Sequence, residues 1–205
     1  MGVSEELFMG KIFCIIGKSS SGKDTLYKQI LKDGALGLLR IVPYTTRPIR
    51  FGETNGMEYF FTDEKGLLEF RRMGRVIEAR SYQTVHGVWS YFTVNDGQID
   101  LEKHNYLMIT TLEAYVKIRD YFGFSAVWPV YIEVEDGVRL RRAIERESRE
   151  EKPKYAELCR RFLADEKDFS EEKVRAAGID RVFQNEDLLE TQREITEYIR
   201  KLMQI

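Results

Sequence analysis

The fold of this chain is decided by the stretch Ile12-Phe13-Cys14-Ile15-Ile16-Gly17-Lys18-Ser19-Ser20-Ser21-Gly22-Lys23. Its apolar first half predicts a strand over residues 11–16 that is covered on both faces, as in a parallel sheet. Residues 17–23, which we call the phosphate loop, fit the pattern G-x-x-x-x-G-K, and a helix is predicted from about Lys23 to Lys32. In such a strand–loop–helix unit, backbone N–H groups surround phosphate oxygens at the positive end of the helix. A chance Gly/Ser turn with a surface lysine is the alternative, and the flanking strand and helix argue against it.

The residues expected to hold a nucleoside triphosphate belong to this loop and to the first turn of the helix. They are Gly17, Ser19, Ser20, Ser21, Gly22, Lys23, Asp24 and Thr25. Lys23 is expected to reach the β- and γ-phosphates as a mobile point charge. Asp24 stands where a Ser or Thr hydroxyl usually binds Mg²⁺, so we expect a cation beside its carboxylate, with Thr25 as the other candidate ligand. The alternative is that Asp24 only stabilises the helix N-terminus.

Composition excludes several classes of protein. The 205 residues are 43% hydrophobic and 32% charged, with 32 Lys and Arg against 34 Asp and Glu. The apolar fraction is too high for a disordered chain, and the balanced charge argues against a protein that coats nucleic acid. With two cysteines and two histidines, His86 and His104, no cluster has metal-ligand spacing. Residues 1–6 are not typical of a signal peptide and no segment predicts a membrane span, so we expect a cytoplasmic protein without nucleic-acid or membrane partners.

Strand-length apolar runs alternate with helical patterns, which predicts an α/β fold with a parallel sheet flanked by helices. Further core strands are predicted over residues 105–110 and 130–134, with a helix between them that ends at Gly123. The tail, residues 187–203, is predicted to form a closing helix. Its inward-facing side chains are expected to be Leu188, Leu189, Ile195 and Ile199.

Two insertions are predicted within this core. Short aromatic and β-branched runs at 58–61, 76–82 and 88–93 predict a small mixed sheet, with a helix over 64–73. The second insertion is helical and rich in charge. The chain is therefore interpreted as one domain. The first insertion, which we call the acceptor insert, covers about 42–95, and the second, which we call the lid segment, covers about 137–165. The core comprises the remaining ranges, about 9–41, 96–136 and 166–205.

The acceptor insert begins with a basic loop. No acidic residue occurs from Gly34 to Gly52, whereas Arg47 and Arg50 lie three residues apart in a loop bounded by Pro and Gly. Forked guanidinium groups with a phenol nearby, here Tyr59, suit a doubly charged phosphate monoester. Two loop arginines taken alone are more often solvated than functional.

Arginines also recur along the lid segment. Arg139, Arg142, Arg146 and Arg149 cover an arc of about 80° on one helix. Such a row is suited to close over a triphosphate and to neutralise the charge on a moving phosphoryl group. A solvated helix face with i,i+4 ion pairs is the alternative.

The string T-T-R-x-x-R-x-G-E-x-x-G-x-x-Y, which starts at Thr45, resembles the guanylate kinase family. That resemblance implies a P-loop kinase core, an acceptor-binding insert and a mobile lid, and transfer of the γ-phosphoryl group of Mg²⁺-ATP to GMP. It implies that Arg47, Arg50 and Tyr59 hold the acceptor phosphate and that Glu78 recognises guanine. It also implies roles for residues nearer the donor: catalytic lid arginines at Arg142, Arg146 and Arg161, and Asn185 beside adenine.

Two departures from the family pattern concern the acceptor base and the metal. Where the family has Tyr-Gly-Ser, this chain has the segment from His86 to Tyr91, so Tyr91 or Trp89 is expected to take the place of a base-contacting serine. Where the family has an Asp-x-Asp pair, residues 109–111 read Ile-Thr-Thr. We hypothesise that Asp24 supplies the missing negative charge from the phosphate loop.

Two other functions remain open on the sequence alone. Ribose 1,5-bisphosphate phosphokinases resemble guanylate kinases and share the Gly-Lys-Asp sequence of the loop, here Gly22 to Asp24. A non-catalytic guanylate kinase-like module that binds phosphorylated partners would fit the missing acidic pair, although it would have no use for a complete phosphate loop. The expected partners are small molecules, ATP and GMP or another phosphorylated acceptor, and the chain is expected to be a monomer or homodimer.

Overall fold

The computed structural model describes residues 9–84 and 87–205. The predictions made for residues 1–6 and for His86 lie outside the described residues. The strands are β1 (Ile12–Ile16), β2 (Leu39–Arg40), β3 (Tyr44–Thr45), β4 (Phe60–Phe61), β5 (Val76–Thr84), β6 (Gly87–Val94), β7 (Tyr106–Ile109), β8 (Val127–Glu133) and β9 (Val182–Gln184). The helices are α1 (Lys23–Asp33), α2 (Glu64–Arg72), α3 (Leu112–Phe122), α4 (Asp136–Glu147), α5 (Tyr155–Asp168), α6 (Glu171–Ala176) and α7 (Leu188–Met203).

The core sheet of the described chain is parallel, with strand order β2-β7-β1-β8-β9. Its central strand, β1, pairs Ile12 with Tyr106 on one side and with Val127 on the other. The predicted strands 11–16 and 105–110 are confirmed as β1 and β7. The third prediction was too short, because β8 begins at Val127 and not at residue 130. Pro129, which lacks a backbone N–H, hid the start of this strand from a pattern-based prediction.

Helices cover both faces of the core sheet. Every residue of β1 is buried, and its side chains alternate between two apolar layers. Cys14 and its neighbours on one face pack with α3, whereas Phe13 and Ile15 pack with α1 and α7. This two-sided burial explains the continuous apolar run of β1 and confirms the predicted α/β fold.

The predicted small mixed sheet is confirmed as a separate sheet of order β4-β3-β6-β5. Strands β5 and β6 form a long antiparallel hairpin, β3 joins β6 antiparallel, and β4 joins β3 parallel. Its own small core contains Leu67, Phe92 and Val94. The predicted helix 64–73 is confirmed as α2, with Asp63 accepting a hydrogen bond from the N–H of Gly66 at its N-terminus. The two-residue strand β3 was missed because it is too short to produce a periodic pattern.

Two helical predictions need correction. Helix α4 ends at Glu147, so Arg149 lies beyond it and does not continue the row of Arg142 and Arg146. In α7, Ile195 and Ile199 are buried as predicted, but Leu189 is exposed. At about 100° per residue, Leu189 lies roughly 120° away from the face that carries Ile195. Within residues 9–84 and 87–205, no helix is long and apolar enough to cross a membrane.

Candidate functional site

The phosphate loop joins β1 to α1 in a conformation that depends on its glycines. Gly22, at the N-terminus of α1, has φ 87°, and a Cβ there would lie 2.3 Å from Nδ2 of Asn185. A Cβ on Gly17 would lie 2.6 Å from the carbonyl oxygen of Ile132. Ser20 is held at φ 62°, which is uncommon for a residue with a side chain. Close approach to the backbone of Ile132 and to the side chain of Asn185 therefore constrains the path of this loop.

Lys23 lies at the start of α1 with its ammonium group largely removed from solvent. Its Nζ donates a hydrogen bond of 3.3 Å to the carbonyl oxygen of Lys18, and Oδ2 of Asp24 is 4.0 Å away. Burial lowers the pKa of Lys23; the carboxylates of Asp24 and Asp165 act in the opposite direction, and the charges of Arg139 and Arg146 lower it further. A largely buried ammonium group at the N-terminus of a helix favours the binding of an anion at this point.

Asn185, which follows β9, is 2% exposed and donates a hydrogen bond of 2.7 Å from Nδ2 to the carbonyl oxygen of Ser21. Ser21 is itself buried. Asn185 therefore holds the phosphate loop in place at Ser21. This contact was not predicted from the sequence. The expected position of Asn185 beside adenine stays a prediction.

A network of charged side chains ties the loop to the lid segment and to the start of α4. Arg139 is 1% exposed; its Nε donates to the carbonyl oxygen of Ser19 at 3.1 Å, and its Nη2 donates to Asp165 at 3.1 Å. Asp165 also accepts the backbone N–H of Ser19 at 2.7 Å. Lys18 donates to Glu166 at 2.8 Å. Arg139 was expected to face a triphosphate together with the other lid arginines, but it is buried in this network.

The other arginines of the lid segment are less constrained. Arg142 is half-buried, and its Nη2 lies 3.4 Å from the carbonyl oxygen of Asn185. Arg146 is exposed and close enough to Lys23 to lower its pKa. Arg161, on α5, is exposed, with Glu147 and Glu157 about 4 Å away. Arg142 thus reaches the residue that contacts the phosphate loop, Arg146 lies near Lys23, and Arg161 lies beside Glu147 at the end of α4.

In the acceptor insert, Arg47 is held by a carboxylate and two aromatic rings. It is 3% exposed, and its Nη2 and Nη1 donate to the two carboxylate oxygens of Glu53 at 2.5 and 2.7 Å. Its guanidinium carbon lies 5.0 Å from the ring centre of Tyr59 and 5.3 Å from that of Phe61. Hydrogen bonds from Arg47 hold the pKa of Glu53 at about 2. Among the described residues, three of the five N–H groups of Arg47 donate hydrogen bonds, which leaves two for an anion.

Tyr59 and Tyr91 extend this cluster. Their rings meet edge to face with centroids 5.6 Å apart, and burial raises the pKa of Tyr59. Arg50 is exposed, and its backbone N–H donates to Glu53 at 2.8 Å. The structure thus brings Arg47, Tyr59 and Tyr91 together and leaves the Arg50 side chain at the edge.

Glu78 lies further along the same sheet and is 3% exposed. Its Oε1 accepts from the hydroxyl of Thr93 at 2.9 Å, and its Oε2 lies 3.1 Å from Nε of Arg80. Burial raises the pKa of Glu78, while the charge of Arg80 acts in the opposite direction. Arg80 in turn donates from Nη1 to the hydroxyl of Thr111 at 2.7 Å. Glu78 is therefore a buried carboxylate with a cationic neighbour.

Two side-chain oxygen donors directly follow the phosphate loop. Asp24 and Thr25 are both exposed in the first turn of α1. A carboxylate and a hydroxyl next to a triphosphate suit Mg²⁺, which usually takes one or two protein oxygens together with substrate phosphates. The described part of the chain contains no cluster of three or more His, Cys, Asp or Glu that could hold a metal without a substrate.

Sequence reasoning missed four residues that make side-chain contacts in these two regions. They are Glu53, Arg80, Asp165 and Glu166. Glu53 belongs to the quoted R-x-G-E string, so its position beside Arg47 had a sequence signal. The other three make contacts across separate elements, and a charge run in α5 or a lone arginine in a strand gives no signal of its partner.

Comparisons with known proteins agree with this architecture. The family model described as guanylate kinase matches residues 9–202. A guanylate kinase from Syntrophomonas wolfei is 37% identical over 87 residues, 42% of this chain and 44% of the relative. One from Porphyromonas gingivalis is 30% identical over 121 residues, 58% of this chain and 63% of the relative. In both comparisons the chain spans less than two thirds of the relative's length.

A solved structure shows the same fold. The crystal structure of guanylate kinase from Anaplasma phagocytophilum matches with a TM-score of 0.67 and 20% identity, covering 95% of this chain and 86% of that chain. At this identity the likeness concerns the fold alone. Because the family model extends over almost all of the described residues, this chain belongs to the guanylate kinase family.

Proposed function

We propose that this chain is an ATP-dependent nucleoside monophosphate kinase that moves the γ-phosphoryl group of Mg²⁺-ATP to GMP and so forms ADP and GDP. Membership of the guanylate kinase family supports nucleotide kinase chemistry in general. One observation supports the finer proposal: a loop that follows the central strand of the core sheet and carries the largely buried Lys23 is combined with a separate sheet beside which Arg47, Tyr59 and Tyr91 lie together.

On the donor side, the backbone of residues 17–22 surrounds the phosphates of ATP, and Lys23 contacts the β- and γ-phosphates. Arg142 and Arg146 flank the loop, and with Arg161 they neutralise charge on the moving phosphoryl group. Asn185 keeps the loop in position through Ser21 and borders the adenine.

On the acceptor side, Arg47, Arg50, Tyr59 and Tyr91 bind the phosphate of the monophosphate. Glu53 orients Arg47 through two hydrogen bonds, which leaves the remaining N–H groups of Arg47 aimed at the ligand. Glu78 accepts an N–H from the base. Because β3, β4, β5 and β6 form one small sheet within the insert, the phosphate and base contacts keep a fixed separation.

The chemical step is direct in-line transfer. An oxygen of the acceptor phosphate forms a bond to the γ-phosphorus, and the bond from that phosphorus to the β,γ-bridging oxygen breaks, so that ADP leaves with the electron pair. The acceptor phosphate is already a competent nucleophile, and no general base is needed. Positioning and charge neutralisation therefore supply most of the rate enhancement.

Asp24 and Thr25 are proposed as the protein ligands of the Mg²⁺ that accompanies ATP. The ion supplies neutralisation of the phosphate charge when it is bound. The exposed Asp24 carboxylate on α1 also compensates for the missing acidic residues at 110 and 111.

We also propose that the core, acceptor insert and lid segment, with the boundaries given above, act as one catalytic domain. Cytoplasmic location, a monomeric or homodimeric state, and the lack of nucleic-acid or membrane partners stay predictions.

The first test is ADP formation from Mg²⁺-ATP by purified protein, with and without GMP. We expect GMP-dependent turnover, and Lys23→Ala should lower kcat about 100- to 1,000-fold because a charge on the transferring group is left without its partner. Lys28→Ala, an exposed lysine of the same helix, is the matched control and should leave kcat unchanged.

Other outcomes would contradict the proposal in different ways. ATP binding without GMP turnover would mean another phosphorylated acceptor, with ribose 1,5-bisphosphate to be tried next. Neither binding nor turnover, with no rise in Tm on addition of Mg²⁺-ATP, would indicate a non-catalytic module.

A further inference from the structure

Arg139 is a buried cation to which the proposed function gives no role. Among the described residues it donates four hydrogen bonds, to the carbonyl oxygen of Ser19 and to the carboxylates of Asp136, Asp165 and Glu166. A guanidinium group has five N–H donors, so at most one of them is left for a phosphate. Arg139 is therefore suited to hold groups of the protein in place and not to bind ATP.

Both backbone groups of Ser19, in the phosphate loop, are held by side chains. Its carbonyl oxygen accepts from Nε of Arg139 at 3.1 Å, and its N–H donates to Oδ2 of Asp165 at 2.7 Å. The same Oδ2 accepts from Nη2 of Arg139 at 3.1 Å. Each of the three residues thus contacts the other two, and we call this closed set the clamp. The side chains of Arg139 and Asp165 are 1% and 15% exposed, so water competes little for these hydrogen bonds.

The clamp joins the two ends of the lid segment to the phosphate loop. Arg139 is in the first turn of α4, whereas Asp165, 26 residues later, is in the last turn of α5. Lys18 makes a second connection of the same kind, because its Nζ donates to Glu166 at 2.8 Å and lies 3.6 Å from Asp136. Any movement of the lid segment relative to the loop must therefore take place in the residues between these two ends.

The lid arginines are placed in register with the clamp. Arg142 follows Arg139 by three residues on α4, and Arg161 precedes Asp165 by four residues on α5. Residues three or four apart are neighbours on one side of a helix, so each of these two arginines lies one turn from a clamp residue. Arg146 lies one further turn along α4. A rotation of either helix at the clamp would carry these guanidinium groups away from the phosphate loop.

We propose that Arg139 and Asp165 are positioning residues. They fasten both ends of the lid segment to Ser19, and the lid arginines are thereby placed at the transferring phosphoryl group. This inference rests on the proposed kinase function and adds to it two residues that do not touch the substrate. Loss of the clamp should lower kcat, which depends on the lid arginines. It should leave KM for ATP nearly unchanged, because Gly22 and Asn185 still constrain the loop.

The experiment measures kcat and KM for Mg²⁺-ATP, with GMP as the acceptor, in a double-mutant cycle of Arg139→Leu and Asp165→Ala. Arg139→Leu should lower kcat about 10- to 100-fold and change KM for ATP by less than about threefold. The double variant should lose no more than this, because residues that act as one unit have non-additive effects. Arg139→Lys, which keeps the charge, should recover part of the loss. Arg141→Leu, at an exposed position of the same helix, is the matched control and should keep the wild-type kcat.

The double variant also covers the case in which a single variant does not fold, since it leaves no buried charge of the clamp without its partner. A check on the wild type needs no substitution. The Ser19 N–H should be protected from hydrogen exchange both without and with Mg²⁺-ATP, and an unprotected N–H would overturn the inference.

Two further results would overturn it. If Arg139→Leu lowers Tm and keeps the wild-type kcat, the clamp is only structural. If Asp165→Ala lowers KM for ATP several-fold and leaves kcat unchanged, the carboxylate competes with phosphate for the N–H of Ser19. A wild type without GMP-dependent turnover contradicts the proposed function instead, whereas normal wild-type turnover with unchanged kcat in the variants contradicts only this inference.

Discussion

In the proposed function the phosphate loop and the acceptor insert both bind phosphate, but the loop does so mainly with backbone groups and the acceptor insert with side chains. The backbone determines the shape of the loop: Gly17 lies against Ile132, Gly22 lies against Asn185, and Asn185 donates a hydrogen bond to Ser21. The acceptor cluster is shaped by side chains, with Arg47 held between two aromatic rings and the carboxylate of Glu53. The phosphate loop should therefore be sensitive to any added atom, whereas the Arg47 cluster should depend on the identity and charge of a few side chains.

The largest effect is expected from Gly22→Ala in the loop. The added Cβ would lie 2.3 Å from Asn185, at φ 87°, so the loop must move and turnover should fall at least about 100-fold. Gly34→Ala is the control that separates backbone strain from a steric clash. Gly34 ends the same helix at φ 66°, but in the described structure no atom lies within 4 Å of the position of its added Cβ. Gly34→Ala should cost only about 1–2 kcal/mol of stability and leave KM for ATP unchanged. Similar turnover in the two variants would contradict this account of the loop.

A smaller and more selective effect is expected from Arg47→Lys. Lysine keeps the charge but has a single donor nitrogen, so it cannot span the two oxygens of Glu53 with two nitrogens as Arg47 does, and KM for the acceptor should rise about 10- to 100-fold. KM for ATP should stay the same, since the loop is on the other sheet. Arg40→Lys, an exposed position on β2, is the control. If KM for ATP rose as much as KM for the acceptor, the proposed separation between the phosphate loop and the acceptor insert would be wrong.

Glu53→Gln tests the Arg47 cluster through the pH dependence of thermal stability. The hydrogen bonds from Arg47 lower the pKa of Glu53 from 4.5 to about 2 in the folded chain. A lowered carboxyl pKa stabilises the fold above pH 4.5, and this contribution is lost as the pH falls from 4.5 towards 2. The Tm difference between wild type and Glu53→Gln should therefore be largest near pH 7 and shrink between pH 4.5 and pH 3. A difference that does not change with pH would show that the charge of Glu53 is unimportant.

The smallest effect is expected at the edge of the acceptor insert. Asp63→Ala removes the hydrogen bond from the N–H of Gly66 at the start of α2 and should cost about 1 kcal/mol in urea unfolding. Because α2 packs on the mixed sheet and not on the phosphate loop, KM for ATP should not change. Asp33→Ala, at the last position of α1, has no such capping role and serves as the comparison. An equal loss of stability in both variants would contradict the capping argument.

The same contrast explains what the sequence could and could not predict. The strand–loop–helix unit was predictable because its glycines and apolar run report backbone constraints directly. The mixed sheet was predictable in outline from Val, Tyr and Phe runs, but β3 was too short to detect. The neighbours of Arg80 and Arg139 were not predictable, because the first depends on the β5–β6 register and the second on where α5 meets the loop. A row of arginines looks alike in sequence whether its members are buried or exposed.

The central place of β1 in the sheet has a consequence for how the chain is made. Ile12 in β1 pairs with Tyr106 of β7 and with Val127 of β8. One edge of this apolar strand therefore stays unpaired until about 90 further residues have been made, and the other edge until more than 100 have been made. At synthesis rates of about 5–20 residues per second, this interval lasts on the order of ten seconds. Contacts of such long sequence separation also slow folding. The segment that later carries the phosphate loop is therefore the one most exposed to aggregation during synthesis, and refolding yield should fall steeply with protein concentration.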